Sequence, residues 1–162
     1  MRLTAIMILL AFLALALAPS TGRAQTPVQY GPPITLDNAK RAAAPAIAEA
    51  RKNNWMMAVA IVDPAGDLVY FERMDHTQTG SINIAQDKAR TAAMFKRPTK
   101  AFQDLVAGGG EGLRTLGLRG ATPVEGGLPL MLEGKIVGAI GVSGGTSQQD
   151  AQCASAGVAA LR

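Results

Sequence analysis

Apolar positions along the chain alternate between two spacings, and the changes mark out its elements. Leu36, Ala39, Ala43, Ile47 and Ala50 recur at helical spacing. Thr35 stands where a helix cap belongs, and Asp37 favours the first turn. This helix should run to about Asn53, with Pro45 kinking it or starting a new segment. Trp55 to Val62 is a continuous apolar run between Asn54 and Asp63-Pro64, the pattern of a strand buried on both faces. Asp63-Pro64-Ala65-Gly66-Asp67 has turn chemistry, and Leu68 to Met74 follows as the second arm of a hairpin. Helical spacing resumes near Thr79 or Ser81. Ile82, Ala85, Ala89 and Ala92-Ala93 form a stripe that ends at Phe95, and Pro98 stops the helix. Thr99 is expected to cap a short helix whose buried face is Phe102, Leu105 and Val106. Gly108-Gly109-Gly110 ends it, and Glu111 to Gly127 is irregular and glycine-rich. Leu128 to Leu132 and Ile136 to Val142 read as strands joined by Glu133-Gly134-Lys135, a tight hairpin signal. In the second strand Ile136, Gly138, Ile140 and Val142 share one face, and Val137, Ala139 and Gly141 the other. A last, alanine-rich helix covers Ser147 to Leu161.

Hairpins on either side of a helical crossover favour a mainly antiparallel sheet carrying helices, an α/β (α+β) arrangement. The 162 residues suit one domain. Residues 25–34 contain Pro27, Pro32 and Pro33 and form an extended arm, poorly ordered unless held. Ahead of it, Arg2, the apolar run Ala5 to Ala18 and the small residues of Gly22-Arg23-Ala24 have the layout of a secretory signal peptide. Cleavage is expected after Ala24. The run is too short to serve comfortably as a membrane anchor. The expectation is a periplasmic or secreted protein: signal 1–24, arm 25–34 and a single domain over 35–162.

Cleavage changes the charge balance. The chain carries 16 basic and 12 acidic residues, and removing Arg2 and Arg23 leaves 14 basic ones. No basic patch interleaved with aromatics remains, which argues against nucleic acid as a partner. Cys153 is the only cysteine, so there is no internal disulfide. On an alanine-rich helix it reads as a small buried residue in preference to a reactive thiol, with an intermolecular disulfide as a further option.

One histidine and one cysteine cannot build a Cys/His zinc site. No G-x-S-x-G elbow presents a serine. The glycine clusters at Gly138 to Gly145 fit neither phosphate-loop nor dinucleotide patterns and suit close packing and a tight turn. His76 stands apart, in a polar loop between a strand and a helix, with Met74 two residues before it. Imidazole and thioether are both ligands of haem iron, and Arg73, Lys88 and Arg90 are cations suited to propionates. The bland counterpart is a solvated loop histidine, with Asp87 and Arg90 an ordinary helical ion pair. Glu72, Asp75 and His76 could equally serve as acid or base in a polar pocket.

Three blocks say more than their chemistry: VAIVDPAGDLVYFERMD, GSINIAQDKARTAAMFKRPT and GGLPLMLEGKIVGAIGVSGG. In order and spacing they resemble the GlcG/HbpS family of haem-binding-like domains (DUF336), over about Thr35 to Leu161. The resemblance implies a profilin-like fold, a five-stranded antiparallel sheet with helices on both faces. It also implies a homo-oligomer holding haem at or near a subunit interface, or less favourably another tetrapyrrole such as a corrinoid. It implies no catalytic residues. After Arg73-Met74-Asp75 the family usually has small residues, often Gly-Ala, where this chain has His76-Thr77. His76 as metal ligand is therefore read from its chemistry and not from the family. The expected function is an exported, homo-oligomeric haem- or tetrapyrrole-binding protein. Its cofactor contacts would be His76, Met74, Arg73, Lys88 and Arg90. The alternatives are a small-molecule enzyme or enzyme accessory using the same loop, or a ligand-free structural oligomer.

Overall fold

Strand β1, Ala58–Val62, has every residue buried, because helices cover both faces of the sheet around it. The computed structural model describes residues 27–161. The expected signal segment lies outside them. With β2 (Leu68–Arg73), β3 (Gly127–Leu132) and β4 (Lys135–Ser143), β1 forms an antiparallel sheet in the order β2-β1-β4-β3. The strand starts later than the apolar run, since Trp55 to Met57 lie ahead of it. The Met57 carbonyl nonetheless accepts the Met74 N–H at 3.0 Å, which carries the hairpin contact one step past the strand ends.

One face of the sheet is covered by α1 (Leu36–Lys52) and α4 (Ser147–Ala159). There Met57, Val59, Ile61, Ile140 and Val142 meet Ala43, Ile47, Cys153 and Ala154. The other face carries α2 (Ser81–Met94), and its layer is almost all alanine: Ala58, Ala60 and Ala139 against Ala85, Ala89, Ala92 and Ala93. Small residues bring this helix close. A Cβ on Gly141 would collide with the Ala85 carbonyl, so glycine is required where strand and helix backbones approach. Helix α3 (Thr99–Ala107) and the 3-10 segment Gly110–Gly117 pack together beyond α2. Among the described helices, none is long and apolar enough to cross a membrane.

The expected cap of α1 holds, and α4 has one that the sequence did not single out. Thr35 accepts the Asn38 N–H, and Thr146 with Gln149 forms a reciprocal capping box on α4. Helix α1 runs through Pro45 without starting a new segment.

Four expectations need correcting. Among the described residues the sheet has four strands, not five. The arm contributes only one parallel bridge, Tyr30 to Ile136. Pro32 and Pro33 have no N–H to extend the ladder, so pairing is limited to the Gly31 and Ile34 amides and the Ile136 amide. The arm is held all the same, with the Tyr30 hydroxyl shared between the Ala93 and Met94 carbonyls at 3.0 Å. In β4 the simple alternation fails. Leu130 pairs with Gly138 and Met131 with Ile136, so Val137 is an extra, bulged residue that joins the face of Ile140 and Val142. Thr99 does not cap α3. Pro98 holds that position, and the buried Thr99 hydroxyl accepts the Gly127 N–H at 2.9 Å, tying α3 to the start of β3. Finally, Leu105 is 47% exposed because α3 buries only one narrow edge, centred on Phe102.

Candidate functional site

The chain leaves β2 at Arg73 and turns sharply before α2. Thr77, 7% exposed, holds that turn. Its N–H donates to the Met74 carbonyl at 3.3 Å. Its hydroxyl lies 2.8 Å from the same oxygen and 3.1 Å from the Met57 carbonyl. His76, immediately before it, is exposed and has φ of +63°. That left-handed conformation is uncommon for a residue with a side chain, and histidine is among the types that tolerate it better. Glycine adopts it freely.

Around this turn lies a cleft of about 340 Å³ lined by Arg51, Met56, Glu72, Arg73, Met74, Asp75 and His76. Arg51, in the last turn of α1, reaches to 4.0 Å from Glu72. The Tyr70 hydroxyl donates to the other Glu72 oxygen at 2.8 Å, and this bond pushes the phenol pKa up. The cleft thus combines an imidazole, two thioethers, two guanidinium groups and two carboxylates, with formal charges in balance.

The structure gathers three of the five expected contact residues here, Arg73, Met74 and His76, and adds Arg51 and Met56. Met56 was hidden in an apolar run read as strand. The hairpin register was the available signal. Ala58 opposite Arg73 sets the residues before β1 alongside Met74 and those after it.

Lys88 is elsewhere. It is 1% exposed, its Nζ lies 2.6 Å from Asp150 Oδ2, and it also donates to the Val142 carbonyl at 3.1 Å. Asp150 accepts the Gly145 N–H as well. Gly126 seals the pair, since a Cβ there would stand 2.9 Å from the ammonium. Burial pushes the Lys88 pKa down and the Asp150 pKa up, each opposed by the partner's charge and hydrogen bond. Lys88 is committed inside the fold and has no path to a propionate. Arg90 bonds the Gly66 carbonyl and faces Asp87, at the far end of β2 from His76. Its pairing with Asp87 matches the ordinary ion pair expected at that spacing.

Fold and site together define an α/β protein, an antiparallel sheet between helical layers with a polar cleft at the end of an edge strand. Residues 34–159 match the family described as haem degrading protein HbpS-like. The chain belongs to that family. Protein GlcG of Escherichia coli (strain K12) is 44% identical over 95 residues, 59% of this chain and 69% of GlcG. Among solved structures, a double mutant of HbpS from Streptomyces reticuli superposes with a TM-score of 0.75 at 30% identity, covering 90% of this chain and 97% of that one. A PduOC–haem complex superposes with a TM-score of 0.72 at 27% identity, covering 80% and 96%.

Proposed function

We propose that this chain is an exported, homo-oligomeric haem- or tetrapyrrole-binding protein of the GlcG/HbpS type. The observation that carries the reading is the cleft at Met74 to His76, which sets a histidine and a methionine beside cationic groups in a family with a haem-complexed relative. The donor types suit the cofactor. In this reading His76 is the axial ligand, Met74 stands beside it, and Arg73 with Arg51 pairs with the propionates. Arg51 takes the place first given to Lys88 and Arg90. Bound haem would supply an iron centre able to take up electrons or small ligands.

Met56 and Met74 are the apolar side chains lining the cleft, which is otherwise polar. A tetrapyrrole face needs more cover than two thioethers, and a second copy of the chain would supply it. Self-association therefore belongs to the same reading. Export rests on residues 1–24, whose layout is that of a signal peptide. N-terminal sequencing of protein recovered from the periplasm or medium should begin at Gln25.

Titration with hemin, followed at the Soret band, tests the ligand. A saturable shift is expected at micromolar protein, changed in position by His76→Ala. No saturable shift would overturn the haem reading. An unchanged spectrum in His76→Ala would remove only the ligand assignment.

A further inference from the structure

The cleft carries a second chemistry that a tetrapyrrole does not require. Its neutral donors are the thioethers of Met56 and Met74 and the imidazole of His76. These come from two separate parts of the chain, the segment before β1 and the turn after β2. The backbone between them is bonded together. The Met74 N–H donates to the Met57 carbonyl at 3.0 Å. The Thr77 hydroxyl lies within reach of the Met57 and Met74 carbonyls. Each donor residue is thus a member of this clamp or the chain neighbour of one. Methionine side chains are flexible and polarizable, and both Met56 and Met74 line the cleft, Met74 packing in part against the core. His76 is held at φ +63° by the same turn.

We infer that this cleft binds a soft monovalent metal ion, copper(I) or silver(I), through Met56, Met74 and His76. Thioether sulfur favours copper(I), whereas magnesium, calcium and manganese favour oxygen ligands. Among the described residues no group of three or more His, Cys, Asp or Glu converges, so harder and borderline divalent ions have no comparable site. Glu72 is already engaged by Arg51 and Tyr70. Arg51 and Arg73 are offset by Glu72 and Asp75, so one added positive charge meets no net repulsion. The inference does not depend on haem binding, because Met56 is not an iron ligand in that reading.

The test is anaerobic titration of the purified full chain with copper(I), using bicinchoninate as the competing chromophore. One copper per chain should be withdrawn from the competitor. Met56→Leu and His76→Ala should each weaken the affinity by about tenfold or more, and Cys153→Ala should leave it unchanged. Met56 is 39% exposed and His76 lies in a surface turn, so both variants should keep the fold. Failure to withdraw copper overturns the inference. So does wild-type affinity in Met56→Leu, or loss of copper in Cys153→Ala. Parallel hemin titrations separate the two readings. Copper binding without a Soret shift retires the tetrapyrrole reading alone, and a Soret shift without copper binding retires this one.

Discussion

Lys88 and His76 lie on either side of the same stretch of chain, and the fold treats them in opposite ways. Lys88 is closed in by α2, β4 and the start of α4, meets Asp150 at 2.6 Å and is covered by a glycine. His76 projects from a turn at the mouth of a cleft, on a backbone that glycine would suit better. The first region satisfies its charges internally and leaves nothing for a ligand. The second leaves a histidine and two methionines lining an open cleft. An ionisable residue near a candidate site is therefore informative only once its partners are known. Among the described residues no buried side-chain nitrogen or oxygen lacks a hydrogen-bond partner, so unused binding capacity has to be sought on exposed groups.

The contrast can be broken at its closed end first. Lys88→Met strands a buried carboxylate and should destabilise the fold by about 3–5 kcal/mol in urea melts. Adding Asp150→Leu should recover most of that, because no unpaired charge remains. Stability within experimental error of the parent in Lys88→Met would mean that the junction is not closed. Gly141→Ala comes next. It forces α2 away from the sheet and should cost about 1–3 kcal/mol by the same measurement.

At the open end the sign should reverse. His76→Gly relieves roughly 1–2 kcal/mol of left-handed strain and incurs glycine's roughly 0.5–1 kcal/mol of chain entropy. The variant should be slightly more stable while binding hemin and copper(I) more weakly. Lower stability with full binding would undo the contrast. The last effect, absent at neutral pH, concerns Cys153. Burial pushes its thiol from the ordinary 9.0 up to about 11. Below pH 9 both folded and unfolded chains keep the proton. Between about 9 and 11 the unfolded chain releases it first, so this contribution to stability falls as pH rises through that window. Melts compared with Cys153→Ala should show that decline, and iodoacetamide should label the folded protein only slowly at neutral pH.

Much of the framework was legible because it depends on local pattern. The Thr35 cap, the alanine stripe of α2 and the Glu133-Gly134-Lys135 turn each need only a few neighbouring residues. What escaped depends on distant partners. Thr99 resembles a cap until Gly127 is brought to its hydroxyl. The resemblance implied a fifth strand, whereas the described residues add only the isolated Tyr30–Ile136 bridge to a four-stranded sheet. Lys88 was grouped with His76 by proximity in sequence, while Asp150, its true partner, lies 62 positions away. A trace was present, because Ser81, Ala85, Lys88 and Ala92 follow one helical face and all are buried. A lysine on that stripe implied a buried counter-charge. At the cleft, Met74 and His76 could be read from the loop, but Arg51 could not, since only the packing of α1 against the hairpin brings it there.

The Thr77 clamp also bears on how fast a ligand can come and go. With the backbone around Met56, Met74 and His76 already bonded in place, capture of a metal ion within one chain would require only side-chain rotations, which take picoseconds to nanoseconds. No loop has to close over the site on the slower microsecond scale. Loading is then paced by diffusional encounter, and residence time by the strength of the bonds to the ligand itself. Because the charges lining the cleft balance, the association rate should vary little with ionic strength.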